Sequence, residues 1–172
     1  MVPVVLNETD DYFNSMPPGF RFVPTDEVLI LCYLRKKLLN EPLPINRIRH
    51  VNIYQYHPRD LTAMYDLLRE SEWYYFTPIT RKYVNSSRPN RVAPNGFWKP
   101  RMNNPIKDRN NEVVGYRTSL EFYEGKYPNG NKTGWKMNEY TINEAIIPPN
   151  INTNGKTRIK VPQIYIDAIF FR

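Results

Sequence analysis

Residues 81–107, RKYVNSSRPNRVAPNGFWKPRMNNPIK, contain seven basic side chains and no acidic one. The basic residues are Arg81, Lys82, Arg88, Arg91, Lys99, Arg101 and Lys107. The chain has 24 Lys and Arg against 17 Asp and Glu, a net charge of +7. The 17 basic residues outside the stretch balance the 17 acids, so the whole excess lies in one segment. Tyr83, Phe97 and Trp98 are interleaved with it, as are Asn85, Ser86, Ser87 and Asn90. Amides and hydroxyls are groups that contact phosphates, and guanidinium forks reach base edges. A charge run is most often a solvated face. Here the complete exclusion of acids favours an electrostatic footprint for nucleic acid.

Other chemistries find little support. The two histidines, His50 and His57, have no cysteine nearby, and isolated histidines are more often structural than catalytic or metal-binding. The seven glycines form no phosphate-cradling pattern. No pair of carboxylates stands out by spacing. The single cysteine, Cys32, excludes an intrachain disulfide and a multi-cysteine zinc site. It lies in an apolar run and reads as an inert, buried thiol. No catalytic residue, metal or cofactor is expected.

The elements that must position the basic segment fit one domain of 172 residues. A chain of this size buries about 70% of its unfolded surface. With 41% apolar and 14% aromatic residues, overall disorder is not expected. No apolar run reaches the roughly 18 residues of a membrane span. The basic balance suggests a polyanionic partner, nucleic acid first and an anionic membrane second, and the expectation is nucleic acid without a membrane partner. The N-terminus lacks a secretory pattern, and a reducing, intracellular compartment fits the cysteine usage.

Residues 1–15 are polar and acidic and read as a loose lead-in. In PPGFRFVPTDEVLILCYLRKKLL, Thr25 can cap a helix, with Asp26 and Glu27 in its first turn and Arg35, Lys36 and Lys37 at its end. Pro58 suits the first turn of a second, short helix. After residue 70 the chain becomes rich in aromatic and β-branched segments punctuated by Asn, Gly and Pro. In TSLEFYE, Leu120 and Phe122 share one face and Glu121 the other. Helices followed by hairpin-linked strands indicate α+β with a twisted antiparallel sheet.

Four segments in order, PPGFRFVPTDEVLILCYL, VNIYQYHPRDL, EWYYFTPITRKYVNSSRPNRVAPNGFWK and VGYRTSLEFYEGKYPNGNKTGWKMNEYTI, resemble the NAC domain of plant transcription factors. The resemblance spans roughly residues 16–172, and the closing YIDAIFFR is similar to the family's final strand more weakly. It implies a nuclear domain that binds double-stranded DNA with a sheet-edge strand in the major groove. It also implies a homodimer or heterodimer formed through the N-terminal segment, with Pro17 and Arg21 in the dimer contact. By resemblance, Lys82, Arg88, Arg91, Trp98, Lys99, Arg117 and Lys126 fall at family positions that meet DNA.

Two departures stand out. Val28 replaces a family glutamate that pairs with the arginine at position 21 across the dimer. WKPRM, Trp98 to Met102, stands where the family has WKATG. Proline cannot donate to a β ladder, so Pro100 is expected on an edge or at a bulge. Arg101 offers a fork suited to O6 and N7 of guanine. DNA binding with a shifted base preference is therefore expected. The alternative is a NAC-like protein that keeps fold and dimerisation but acts through protein partners, with weak or non-specific DNA binding.

Overall fold

Period-two alternation of apolar residues sets most of this fold. The computed structural model describes residues 8–65, 70–79, 90–148, 150–151, 157–158 and 164–171. Nine strands are assigned among them: β1 (Ile48–His50), β2 (Trp73–Pro78), β3 (Val92–Ala93), β4 (Gly96–Lys107), β5 (Val113–Glu124), β6 (Asn131–Ile142), β7 (Asn150–Ile151), β8 (Thr157–Arg158) and β9 (Ile164–Phe171). Seven form one sheet in the order β1-β2-β9-β6-β5-β4-β3, and β7 pairs with β8 separately. β1 runs parallel to β2, and the other pairings are antiparallel. The expected α+β class with a mostly antiparallel sheet is what the chain forms.

Both faces of the sheet are covered. On one, Ile166, Ala168, Tyr74, Phe76 and Tyr140 pack against Leu29, Ile30, Tyr33 and Leu34. On the other, Leu120, Phe122, Met137 and Trp98 pack with Ile53 and Leu61. Leu120 and Phe122 are buried while Glu121 between them is not, as the alternation predicts.

The helix that covers the first face starts where its cap predicts. The Thr25 hydroxyl accepts from the Val28 backbone N–H at 3.3 Å. The α turn α2 (Asp26–Val28) continues into a π-wound segment, Leu29–Leu34, and ends in α3 (Arg35–Leu38). The wider winding brings Leu29, Ile30, Tyr33 and Leu34, all buried, onto one face. Cys32 is half-buried rather than buried as expected, because it falls outside the face that carries Leu29, Ile30, Tyr33 and Leu34.

α4 (Pro58–Met64) has Pro58 in its first turn, as expected. His57 caps it: its Nδ1 accepts from the Arg59 N–H at 3.1 Å. That leaves Nε2 to contact Glu124 at 3.2 Å, a structural role for this histidine.

The lead-in differs from the sequence expectation. Residues Glu8–Asn14 form helix α1. Asp10 is 1% exposed and ion-pairs with Arg49, while Arg47 bonds Asn14 at 2.7 Å and Glu70 at 3.1 Å. Acidic and polar residues that look solvated in sequence are held here by two arginines beside β1. Among the described residues, no helix is long and apolar enough to cross a membrane.

Candidate nucleic-acid interface

The central feature of the basic segment is the outer half of β4. Among the described residues, β3 pairs only with Gly96 and Phe97. From Lys99 onward, among the described residues, β4 pairs on one side alone, with β5. Lys99 to Asn103 are all exposed. Pro100 sits on this edge, and the register slips between Pro100 and Met102. Proline thus meets both conditions under which a strand tolerates it. Arg101 is the extra residue of the bulge, a position that re-aims a side chain.

Arg101 is braced by its own sheet. Its Nε donates to Glu121 Oε2 at 2.6 Å, and its Nη2 donates to the Tyr123 hydroxyl. The other Glu121 oxygen takes Lys132 Nζ at 2.8 Å. These hydrogen bonds, from Lys132 and then from Arg101, hold the Glu121 carboxyl below the ordinary carboxylate range, outweighing its partial burial. Glu121 also lies across from Lys99 on β4 and Lys136 on β6. Lys99 Nζ stands 5.6 Å from the Tyr123 ring centroid. Four basic residues therefore surround one carboxylate on the sheet surface.

The other expected DNA-contacting residues do not all join this patch. Trp98 is 2% exposed and packs on Phe122 at 5.1 Å between ring centroids. Its indole belongs to the core. Arg91 bonds Glu139 at 2.7 Å, with only 16% of its side chain exposed. Its charge is paired with a buried acid of the same chain. Arg117 pairs with Asp26 at 2.8 Å and ties β5 to the start of α2. Lys126 is exposed in the β5–β6 turn, beside a groove lined by Val92, Phe97 and Tyr127. Lys82 and Arg88 lie outside the described residues. Pro17 and Arg21 are exposed, in a segment whose Phe20 and Val23 are 62% and 67% exposed while Phe22 turns inward.

Sequence reasoning passed over Glu121, Tyr123, Lys132 and Lys136 as site residues. The signal was the pairing of three hairpin-linked strands, which brings β5 and β6 alongside β4. It also missed the buried acids. Glu139 and Asp167 are 2% and 0% exposed and face each other across β6 and β9. Burial, reinforced by Glu139, pushes the Asp167 carboxyl well above the ordinary range. Burial raises Glu139 too, against the pull of Arg91. Both acids occupy inward positions of apolar strands, WKMNEYTI and IYIDAIFF, a pattern visible in the sequence.

Residues 17–142 match the family described as No apical meristem (NAM) protein. The chain belongs to the NAM family. Its NAM relatives include NAC transcription factor 47 of Arabidopsis thaliana, 45% identical over 146 residues, which cover 82% of this chain and 40% of that protein. NAC transcription factor 32 of the same plant is 49% identical over 129 residues, covering 74% of this chain and 50% of that protein. NAC domain-containing protein 2 of Solanum lycopersicum is 42% identical over 146 residues, covering 85% and 52%. The chain thus spans about half the length, or less, of these three NAM relatives. The two Arabidopsis relatives are named as transcription factors rather than enzymes. The NAM match ends at Ile142, before β9.

Proposed function

We propose that this chain is a DNA-binding domain of a plant transcription regulator, acting in the nucleus as a dimer and without catalysis. One observation supports this above the others: the one-sided outer half of β4 carries Lys99 and Arg101 outward, with Lys132 and Lys136 beside them. A strand edge left unpaired among the described residues, with cations on one side, fits the major groove of duplex DNA. Lys82 and Arg88, from the acid-free segment, add phosphate contacts in this reading, as does Lys126. Pro17 and Arg21, with exposed Phe20 and Val23, supply the dimer contact.

A second reading, action through protein partners with weak DNA binding, draws on Arg91 and Arg117. Both direct their charge to acids of the same chain. One experiment separates the two. The chain is used to select duplexes from a random library, and affinity for the winner and for random duplex is followed against salt. The DNA reading requires a winner preferred over random duplex and a linear fall of log K with log salt. No preference at any salt concentration favours the second reading.

A further inference from the structure

The carboxylate in the middle of the basic patch is at first sight misplaced. Glu121 repels every phosphate that approaches the four cations around it, so its presence calls for an account beyond charge. Its geometry supplies one. A guanidinium carries five N–H donors in a rigid fork. Glu121 and Tyr123 engage Nε and Nη2 of Arg101. Nε and the inner N–H of Nη2 lie along one side edge of the group, which is where a brace through these two nitrogens fits. The three remaining donors, on Nη1 and the outer side of Nη2, form the end-on fork that matches O6 and N7 of guanine. The brace therefore leaves the reading edge free.

The brace is itself anchored. Glu121 is bonded to Lys132 through its second oxygen at 2.8 Å, and its side chain is 15% exposed against 42% for Arg101. Both ends of the carboxylate are fixed before any ligand arrives. An exposed arginine at a bulge would otherwise lose its rotamer freedom on binding, and fixing it in advance removes that cost.

We propose that Glu121 is a positioning residue for base readout: with Tyr123 it holds the side edge of Arg101 and turns the end-on fork towards a guanine in the major groove. This rests on the DNA reading above. Glu121 has two effects of opposite sign. Its charge weakens binding to every duplex, and its hydrogen bond sharpens the preference for one.

The test uses the whole chain, the duplex enriched from a random library, and random duplex. Glu121→Gln should bind random duplex more tightly than the unmutated chain, while its preference for the enriched duplex falls roughly tenfold, within the range of one bidentate base contact. Replacing guanines of the enriched duplex one at a time by 7-deazaguanine, which lacks N7, should expose one position that weakens the unmutated chain and leaves Arg101→Ala unaffected. In the free protein, the ¹⁵N–¹H signal of Arg101 Nε should move in Glu121→Gln. An unmoved signal overturns the brace without reference to DNA. A preference kept or increased in Glu121→Gln overturns the positioning role and makes Glu121 a bystander or a restraint on Arg101. An unmutated chain that selects no duplex ends the DNA reading and this inference together, whereas a selecting chain whose preference ignores Glu121 ends only the inference.

Discussion

Arg91 and Glu139 meet at 2.7 Å across 48 positions of sequence, and the carboxylate they share space with, Asp167, is fully buried. Two acids thus lean on one cation. Removing a single partner of a buried ion pair leaves an uncompensated charge and costs about 3–5 kcal/mol. Arg91→Ala is expected to lose that much stability in urea unfolding. Any loss of DNA affinity in this variant must be read on the folded fraction, because Arg91 supports the sheet beside the basic segment. A loss under about 1 kcal/mol would return Arg91 to the surface cations.

Asp167 predicts a dependence on pH. Its folded-state pKa lies above its unfolded value, so the folded protein holds this proton more tightly. The contribution to stability is complete below the ordinary carboxylate range and is lost as pH rises through the raised value. Asp167→Asn cannot ionise. Relative to the unmutated chain it should gain stability steadily as pH is raised from about 4. Unfolding midpoints measured for both proteins across pH decide it, and a constant difference between them would remove ionisation as the cause.

Asp26 accepts from Tyr140 Oη at 2.9 Å and from Arg117 at 2.8 Å, joining the first helical turn to β5 and β6. The arginine pair is about a third exposed on both sides, so Arg117→Ala should cost less than about 1 kcal/mol. Asp26→Ala removes two partners and a first-turn acid, and should cost about 1–2 kcal/mol. If Arg117 reads phosphate as well, Arg117→Ala will shallow the salt slope of DNA binding by about 1 while leaving the fold intact.

Gly96 opens β4 under direct contact. A Cβ there would lie 2.3 Å from the Tyr123 carbonyl oxygen and 2.5 Å from the Phe122 ring. The neighbours are backbone and a fully buried ring, neither able to retreat. Gly96→Ala should cost about 1–3 kcal/mol, which for a domain of this size lowers Tm by roughly 2–4 °C per kcal/mol. A thermal melt unchanged from the unmutated chain would mean the strand start is looser than its contacts imply.

Pro100 and Pro105 punctuate the one-sided half of β4. Edge strands without such breaks recruit other edges. Replacing both prolines by Val should produce concentration-dependent association in sedimentation, and the added species should persist at high salt if strand pairing holds them.

The sheet was legible where alternation was strict. TSLEFYE announced its own inside and outside, and Thr25 and Pro58 marked helix starts by stereochemistry alone. What stayed hidden was long-range. The helix at residues 8–14 depends on Arg47 and Arg49, distant cations that an acidic local composition does not reveal. The acids that Arg91 and Arg117 pair with could not be read from the sequence, because they lie 48 and 91 residues away. Trp98 combines a basic neighbourhood with an inward strand position, and its indole is buried. The brace on Arg101 required the register of β4 against β5, which includes a bulge that composition does not specify.

The place of β9 has a consequence for how the protein is made. This strand is inserted between β2 and β6, yet it is synthesised after both. The hairpins of residues 92–142 are local and need no later strand, but until β9 follows nothing joins them to β2. At typical elongation rates that interval is on the order of seconds. A nascent chain passes through it with two raw strand edges facing a gap, and with the apolar faces of Tyr75 and Met137 awaiting Ile169. The step that seals the sheet also buries Asp167, so β9 brings a fully buried carboxyl into place as it joins.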